Sequence, residues 1–295
     1  MSLKTGVVGL GVMGGAFAGH MLDSGFEVQG FDPSEDVFEK FEGKALVRSN
    51  SPAEAASNVD LVMLSLPNYK VVEQAVSGDN GVFTGCVEGT IIADMSTVPP
   101  KFSKDMAKMA QDKGLTWLDC PVSGVGKQAA VKDLVVMVAG PKNSFDKSKP
   151  VFDAIGKKTV YVSEQNGHAA QLKLVVNLVL FVTMAGAAEG LTLGLKSGLD
   201  PDIMLDVLCS GAAGSNVLEV RGKDMLSNHF PPSGPINIVL KDLECAIQSA
   251  KDQDVPVPLA GLLEQIYLSQ RSKGRGNEDG SSIFRIFQEL ANYQA

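Results

Sequence analysis

The sequence predicts an α/β protein in which a mostly parallel, doubly wound sheet is followed by an all-helical second half. Three observations predict this architecture. Up to Ser163, short β-branched runs alternate with helical segments. After Ser163 no strand-like run of comparable strength occurs, and a segment from Gly167 to Lys196 is apolar on nearly every side. We therefore expect two domains, residues 1–165 and 166–295, joined by a long helix over residues 167–197.

The strand-like runs of the first half are mostly apolar throughout, as expected for a sheet with both faces covered. Helix candidates lie between most of these runs, and such βαβ alternation favours parallel pairing. The strand candidates are residues 5–10, 27–32, 60–67, 90–96, 115–123, 133–140 and 159–163, and the helix candidates are residues 13–24, 35–42, 69–77, 99–113 and 144–155.

The second half shows helix signals only. One long helix is predicted from Gly167 to Lys196, and Gly198 follows as its terminator. The next helix opens with Asp200 as N-cap and Pro201 at its first position. Further along, apolar residues recur at spacings of three and four, which is the period of a helix that buries one face.

Charge and composition argue against several classes of protein. The chain has 295 residues and a formal net charge of −8, and its 26 lysines and arginines form no dense cluster, so neither nucleic acid nor a membrane is an expected partner. The uncharged run over residues 174–188 has 15 positions, fewer than the ~20 needed to cross a bilayer. Four widely separated cysteines favour reduced thiols, a cytoplasmic protein and no metal site. An apolar pattern that begins at Thr5 predicts no secretory leader.

A glycine-rich turn, GLGVMG, follows the first predicted strand and opens the first predicted helix. Gly9, Gly11 and Gly14 have the spacing that allows a tight turn and a close approach of the backbone to a pyrophosphate. Asp32 ends the second strand 23 residues after Gly9, near the ~20 expected for an acid that binds an adenine ribose. The alternative is an ordinary glycine-rich turn with a surface aspartate, but strand, helix and acid together favour a dinucleotide site. The turn also contains Leu10, Val12 and Met13.

Asp32 bears on the choice of dinucleotide as well. Its carboxylate would repel a ribose 2′-phosphate, and FDPS supplies no arginine to accept one, so NAD is expected in preference to NADP. Two further strand ends, LSLPN at 64–68 and DMST at 94–97, should line the same crevice, because open α/β sheets bind ligands beyond the carboxyl ends of their strands. They contribute Leu66, Pro67 and Thr97. For Pro67 alone, the alternative is an ordinary proline that ends the strand and begins the loop.

Five motifs, in order along essentially the whole chain, resemble the β-hydroxyacid dehydrogenase family. They are GLGVMG at 9–14, DMST at 94–97, DCPVSG at 119–124, GHAAQLKLVVN at 167–177 and KDL at 241–243. The resemblance implies a Rossmann domain, a long interdomain helix and a helical C-terminal domain that helps to form a homodimer or homotetramer. It also implies a nicotinamide dinucleotide cofactor and a small hydroxy-acid substrate.

The resemblance further implies roles for single residues. Lys173 matches the catalytic lysine, and Asn177 matches the asparagine that helps to position the substrate. Ser123 and Gly124 match the loop that holds the substrate carboxylate.

Thr97 and Lys241 match residues that contact the nicotinamide end of the cofactor, and Lys241 also faces the substrate in the family. The sequence departs from the family pattern at three places. Val125 stands where a second glycine usually follows the serine, which affects carboxylate recognition through that N–H group. Val176 replaces the first residue of a common Asn-Asn pair, and VKDL at 131–134 occupies a turn that commonly carries Gly-Thr.

Lys173 suits the chemistry of alcohol oxidation. When a hydride leaves carbon, a proton leaves oxygen, so the site needs a base that becomes an acid in the reverse reaction. Burial in an apolar helix and a nearby positive charge both disfavour an ammonium group and lower the pKa of a lysine. Asn177 lies one helical turn along the same face. The alternative is a lysine whose stem reaches water, with Asn177 as a satisfied buried amide.

Three functions remain open from the sequence. The first is NAD-dependent oxidation of a small 3-hydroxy carboxylic acid with Lys173 as general base. The second is a non-catalytic dinucleotide-binding scaffold. The third is a reductase of a semialdehyde, such as tartronate or succinic semialdehyde, or of an imine.

The choice of substrate rests on two segments. Residues 209–222 and 275–287 look most similar to the branch of the family that acts on L-threonate, which ranks a four-carbon sugar acid slightly above 3-hydroxyisobutyrate. Ser215, Asn216 and Arg221 would then contact a polyhydroxy acid, or they are loop or interface residues.

Overall fold

The computed structural model describes residues 3–230 and 233–293, and the chain divides into two compact units, Met1–Lys173 and Leu174–Ala295. The boundary predicted from the sequence lies a few residues earlier, between residues 165 and 166. The long helix predicted from Gly167 to Lys196 is present as His168–Lys196, so it begins in the first unit and continues into the second.

A nine-stranded sheet forms the first unit together with its helices. The strands are β1 (Lys4–Val8), β2 (Glu27–Phe31), β3 (Leu46–Arg48), β4 (Leu61–Leu64), β5 (Ile91–Asp94), β6 (Thr116–Asp119), β7 (Val122–Ser123), β8 (Val135–Ala139) and β9 (Lys158–Ser163). Their order is β3-β2-β1-β4-β5-β6-β8-β7, and β9 also pairs with β8. Strands β1 to β6 pair in parallel, whereas β8 is antiparallel to β6 and β7. The predicted mostly parallel, doubly wound sheet is confirmed.

The α-helices of the first unit are α1 (Val12–Asp23), α2 (Pro52–Ala55), α3 (Tyr69–Ser77), α4 (Val82–Gly85), α5 (Pro100–Gln111), α6 (Gly126–Ala130), α7 (Lys142–Ile155) and the start of α8 (His168–Lys196). The helix predicted over residues 35–42 is a 3-10 helix, Asp36–Phe41. Helices α2, α4 and α6 and strand β3 were not predicted, because elements of three to five residues are too short to display a period.

Successive residues of the central strands face opposite sides of the sheet, as the pleat requires. In β1, Val7 packs into one apolar cluster and Val8 into another. In β4, Met63 joins the first cluster, whereas Leu64 joins the second. Helices therefore cover both faces, which explains why these strands are apolar throughout rather than alternating.

The described part of the second unit consists of helices: the rest of α8, α9 (Pro201–Ser210), α10 (Asn216–Leu226), α11 (Ile236–Lys251), α12 (Pro258–Ser272) and α13 (Ile283–Leu290), with a short 3-10 helix at Gly280–Ser282. The predicted start of α9 is confirmed, since the Asp200 side chain accepts hydrogen bonds from the N–H groups of Asp202 and Ile203. The core of the second unit includes the fully buried Leu191, Met225 and Phe284.

Helix α8 has 29 residues and is long and apolar enough to cross a membrane, by length and composition alone. No other helix among the described residues meets this criterion. The uncharged run inside α8, residues 174–188, is shorter, with 15 positions. Core helices of soluble proteins pass the same test, and 39% of the most apolar window of α8 is buried in the protein.

The four cysteines are free thiols. Cys120 and Cys245 are buried, and Cys86 and Cys209 are partly buried. Within residues 3–230 and 233–293, no three histidine, cysteine, aspartate or glutamate side chains are grouped as ligands for a metal ion.

Candidate active site

The glycine-rich turn joins β1 to α1 and requires glycine at two positions. Gly9 has a φ of +92°, and a Cβ on it would lie 2.3 Å from the carbonyl oxygen of Ser65. A Cβ on Gly14 would lie 1.9 Å from the carbonyl oxygen of Gly9. Gly11, by contrast, is exposed and has open space where a side chain would begin, so a ligand can approach its backbone. Leu10 is buried beneath the turn.

The first turn of α1 is suited to an anion. Gly11 is its N-cap and supplies no side-chain cap, and no acidic residue lies in the first turn. Val12 is 75% exposed and Met13 is partly exposed. The N–H groups of a first helical turn have no acceptor within the helix, and the helix dipole favours negative charge there. These residues fit the pyrophosphate of a nicotinamide dinucleotide.

Asp32 follows β2 and lies beside the glycine-rich turn. Its Oδ2 accepts a hydrogen bond from the N–H of Leu10 at 2.8 Å, and its Oδ1 accepts one from the N–H of Ser34 at 2.9 Å. A carboxylate oxygen accepts more than one hydrogen bond, so both oxygens keep capacity for ribose hydroxyls. The bond to Leu10 ties the end of β2 to the turn that follows β1.

The carboxyl ends of four parallel strands meet in one cross-strand row. Val8 pairs with Leu64, Leu64 pairs with Asp94, and Asp94 pairs with Asp119. The loops after β1, β4, β5 and β6 therefore begin along one edge of the sheet. The chain also changes direction across the sheet between β1 and β4, and such a switch point is where open α/β sheets bind ligands.

The loops after β4 and β5 are tied together at this edge. The N–H of Leu66 donates a hydrogen bond to Oγ of Ser96 at 3.0 Å. A Cβ on Gly9 would lie 3.0 Å from Cδ2 of Leu66, so the Leu66 side chain lies against the glycine-rich turn. Thr97 is half-buried in the loop after β5, and Pro67 is exposed.

The loop that contains Ser123 and Gly124 also lies against the glycine-rich turn. A Cβ on Gly126 would lie 2.6 Å from Cγ1 of Val12, so the end of this loop contacts the first residue of α1. Gly124 has a φ of +133°, and a Cβ on it would lie 2.3 Å from Cδ2 of Leu134. Only glycine fits this position without displacement of its neighbour.

The N–H group of Val125 already has an acceptor inside this loop. It donates a hydrogen bond to Oε1 of Gln128 at 3.1 Å, and Nε2 of Gln128 donates in turn to Asp133 at 3.1 Å. The backbone of Val125 is extended, with φ of −122°, so a valine is unstrained there. A carboxylate held by this loop would rely on the Ser123 hydroxyl and the Gly124 N–H rather than on the N–H of Val125.

Asp119 anchors the start of α8, a role that was not predicted from the sequence. Its side chain, 1% exposed, accepts hydrogen bonds of 3.0–3.1 Å from the N–H groups of Gly167, Ala169 and Ala170 and from Nδ2 of Asn166. Burial raises the pKa of Asp119 above its usual value, and the hydrogen bonds from Gly167 and Ala170 act in the opposite direction. The helix dipole favours a carboxylate at this end of α8.

Lys173 lies on α8 three residues after Ala170, in the turn that follows the anchored one. It is half-buried and is the last residue of the first unit. Because Asp119 holds the preceding turn, the backbone of Lys173 has a fixed position relative to the end of β6.

In the second unit, one buried carboxylate holds two of the predicted site residues. Asp242, on α11, accepts a hydrogen bond from Nδ2 of Asn177 at 2.7 Å and forms an ion pair with the ammonium of Lys241 at 2.8 Å. Asn177 and Asp242 are each 4% exposed. Asp242 lies inside the KDL motif, yet the sequence alone did not indicate that it orients both neighbours.

Comparison with known proteins defines the family. Residues 4–163 match the model of the NAD-binding domain of 6-phosphogluconate dehydrogenase, and residues 167–287 match that of the NAD-binding region of NADP-dependent 3-hydroxyisobutyrate dehydrogenase. The chain is 35% identical to 2-(hydroxymethyl)glutarate dehydrogenase of Eubacterium barkeri over 98% of its own length and 96% of that protein. The chain belongs to the β-hydroxyacid dehydrogenase family. It is an oxidoreductase that uses a nicotinamide dinucleotide.

Other members of the β-hydroxyacid dehydrogenase family are similar along their whole length. L-threonate dehydrogenase of Cupriavidus necator is 32% identical, with 97% of each chain covered. The crystal structure of 3-hydroxyisobutyrate dehydrogenase from Salmonella typhimurium has a TM-score of 0.87 and 29% identity, with 97% of this chain and 100% of that chain covered.

Residues considered as contacts for a polyhydroxy acid have structural roles in this β-hydroxyacid dehydrogenase. Ser215 caps α10, where its hydroxyl accepts the N–H of Leu218 at 3.3 Å, and Asn216 is the first residue of that helix. The Arg221 side chain, 14% exposed, pairs at 3.3 Å with the buried Asp279. These contacts explain the presence of Ser215 and Arg221 without any contact to a substrate.

The turn at 131–134, where β-hydroxyacid dehydrogenases commonly carry Gly-Thr, contains an unusual lysine. Lys132 has a φ of +59°, in the left-handed region that favours glycine. The lysine therefore occupies a backbone conformation in which a glycine would be unstrained.

Proposed function

We propose that this β-hydroxyacid dehydrogenase oxidises a small 3-hydroxy carboxylic acid with NAD, and that Lys173 acts as the general base. The observation that carries the proposal is the contact between Gly126 and Val12, because it joins the loop with Ser123 and Gly124 to the cofactor turn. A substrate carboxylate bound at that loop would lie close to the dinucleotide.

Lys173 would exchange a proton with the substrate hydroxyl. When bound, the oxidised nicotinamide ring supplies the acceptor for the hydride that leaves the carbinol carbon. The neutral amine of Lys173 takes the hydroxyl proton in oxidation, and the ammonium returns it in reduction. The hydrogen bonds from α8 to Asp119 support this role, since they hold the backbone that carries the amine. Positioning of this kind is a large part of general acid–base catalysis.

Carboxylate binding is proposed for a small set of donors. The Ser123 hydroxyl and the Gly124 N–H are the donors at the loop, since the Val125 N–H is engaged by Gln128. We extend the family roles to Asn177 and Lys241 as substrate-positioning residues, and their shared partner Asp242 would keep both side chains oriented.

NAD is proposed in preference to NADP because of Asp32. Its carboxylate, held by the N–H groups of Leu10 and Ser34, would accept hydrogen bonds from the ribose hydroxyls and repel a 2′-phosphate. Initial rates with the two dinucleotides at equal concentration test this preference. A higher rate with NADP would contradict the role of Asp32.

The substrate class is proposed from features that the relatives' substrates share. In 2-(hydroxymethyl)glutarate and 3-hydroxyisobutyrate, a CH2OH group is bonded to the α carbon of a carboxylate, so the alcohol lies on the β carbon. L-Threonate also has a hydroxyl on its β carbon, carbon 3. The purified chain should reduce NAD with at least one of these three acids, as followed by NADH absorbance. If none of them supports NADH formation, the proposed substrate class is wrong.

Replacement of Lys173 tests the mechanism. With the best acid of that panel, Lys173→Ala should lower kcat by a factor of about 10² to 10⁴, the usual worth of general acid–base catalysis. NADH binding, measured by fluorescence, should change little because the dinucleotide turn is intact. The exposed Lys108, on α5, provides the control Lys108→Ala, which should keep the wild-type kcat. Unchanged turnover in Lys173→Ala would exclude Lys173 as the base.

Self-association as a homodimer or homotetramer is a further part of the proposal. Large apolar side chains of the second unit are exposed on α8 and α9, including Val179 at 60%, Leu193 at 71% and Ile203 at 67%. Light scattering of the purified chain measures its mass directly, and a monomer at micromolar concentration would contradict this assignment.

A further inference from the structure

Lys40 reaches from outside the dinucleotide motif into the glycine-rich turn. It lies on the 3-10 helix after β2, and its ammonium donates hydrogen bonds to the carbonyl oxygens of Leu10 at 2.5 Å and Gly11 at 3.2 Å. Both acceptors belong to the segment that precedes the first turn of α1.

The structure leaves a defined space for this ammonium. A Cβ on Gly15 would lie 2.0 Å from Nζ of Lys40, so the absence of a side chain at position 15 allows the contact. Asp32 lies close enough to attract Lys40, and partial burial of the ammonium lowers the pKa of Lys40 while Asp32 acts in the opposite direction. Leu10 is thus held from two sides, because Asp32 accepts its N–H and Lys40 donates to its carbonyl oxygen.

The orientation of the Leu10–Gly11 peptide follows from the contact with Lys40, whereas the Gly11 carbonyl also accepts the Gly15 N–H at 2.9 Å as the first hydrogen bond of α1. In a planar trans peptide the C=O and the next N–H point in opposite directions, and no peptide bond of the described chain is cis. When the carbonyl groups of Leu10 and Gly11 point at Lys40, the N–H groups of Gly11 and Val12 point away from it. Those N–H groups begin the helix end that fits a pyrophosphate.

We propose that Lys40 is a positioning residue for cofactor binding, which orients the N–H group of Gly11 toward the pyrophosphate by holding the carbonyl group of Leu10 on the other side of the same peptide. The N–H group of Val12 is oriented by α1 together with Lys40, because the Gly11 carbonyl accepts hydrogen bonds from both the Gly15 N–H and Lys40. Lys40 does not itself contact the pyrophosphate in this arrangement. Its effect is therefore confined to ligands that contain the pyrophosphate, whereas a ligand that reaches only Asp32 should bind without it.

Binding measurements without substrate test this role independently of the reaction catalysed. The variant Lys40→Met keeps the length of the side chain and removes the ammonium. Lys44→Met is the matched control, since Lys44 carries the same charge nearby but pairs with Asp23 at 3.1 Å. The probes are NADH by fluorescence, ADP-ribose by calorimetry, and adenosine, which has no phosphate, by competition with NADH.

Lys40→Met should weaken the binding of NADH and of ADP-ribose about tenfold, which is the worth of one charge-assisted hydrogen bond. The binding of adenosine should weaken by less than about twofold. Lys44→Met should change all three by less than about twofold, which separates orientation of the turn from the loss of one distant charge. Unchanged ADP-ribose binding in Lys40→Met would overturn the proposal. So would equal weakening of adenosine, because the effect would then lie at the ribose.

A second route removes the contact while keeping the lysine. In Gly15→Ala the new methyl group would lie 2.0 Å from Nζ of Lys40 and 2.9 Å from the carbonyl oxygen of Leu10, so it displaces the ammonium and also presses on the peptide that Lys40 holds. If both variants act through the same contact, the double variant should bind ADP-ribose no more weakly than the weaker of the two single variants. Should Lys40→Met fail to fold, as judged by circular dichroism, Lys40→Gln and the Gly15→Ala variant carry the same comparison.

Discussion

Replacement of Asp119 by asparagine tests how the first turn of α8 is held. The carboxylate offers two acceptor oxygens to three backbone N–H groups and to Asn166. Asparagine offers one oxygen, so its NH₂ group must face an N–H donor whichever way the amide turns. At least one hydrogen bond to a charged acceptor, worth ~1.5–3 kcal/mol, is lost, and the others become neutral. Because a buried charge is removed as well, part of this loss is offset, and we expect a net loss of about 2 kcal/mol in the free energy of unfolding.

Thermal unfolding followed by circular dichroism measures this loss. About 2 kcal/mol should lower the unfolding midpoint by about 4–8 °C for a unit of this size. Hydrogen exchange at the amides of Ala169 and Ala170 should accelerate, because their acceptor is weakened. Asp200→Asn is the control: Asp200 caps α9 in an exposed position, and asparagine is an equally good N-cap, so less than about 0.5 kcal/mol should be lost. Equal shifts in the two variants, or unchanged exchange at both amides, would refute the anchoring role of Asp119.

Three further substitutions test local features. Lys132→Gly should raise the free energy of unfolding by up to about 1 kcal/mol, since φ of +59° is strained for lysine, and an unchanged denaturant midpoint would argue against strain. Gly124→Ala should lower the free energy of unfolding by about 2–3 kcal/mol, because φ is +133° and the new Cβ would lie 2.3 Å from a leucine methyl. Wild-type thermal stability of this variant would show that the loop accommodates the methyl group without strain. Lys273 and Arg275 hold the pKa of Glu289 below its usual 4.5, so the stabilisation is present above that value and is lost as the pH falls through the lowered pKa. At neutral pH the wild type should therefore have a higher melting temperature than Glu289→Gln, and in acid the two melting temperatures should be equal. A difference that persisted in acid would show that the stabilisation does not come from the ionised Glu289.

The sequence predicted the elements that carry a long period or an uninterrupted apolar run. Helix α8 was located to within one residue at its start, because its length and the terminating Gly198 define it. The 3-10 helix Asp36–Phe41 was predicted as a helix of unspecified type, since both helix types place apolar residues three to four apart. Strand β3 was missed because it has only three residues at the edge of the sheet, and two of them, Val47 and Arg48, are exposed.

The predicted site residues came from motifs, whereas their supporting contacts could not be predicted. Asp119 meets its partners at separations of 47 to 51 residues, and Lys40 reaches Leu10 across 30 residues. Contacts at such separations depend on the folded arrangement and leave no local pattern. One signal was available: an aspartate amid the apolar residues of TWLDCPV is costly to bury without several hydrogen bonds, which marks Asp119 as a structural or functional acid.

The carboxylate of Asp242 couples the substitutions that Asn177 and Lys241 can accept, because both side chains bind it. If Asn177 is exchanged for a side chain that cannot donate, the carboxylate keeps only the ammonium of Lys241, and if Lys241 is neutralised, a buried negative charge is left with an amide alone. A substitution at any one of these three positions should therefore be tolerated only when the other two are altered with it.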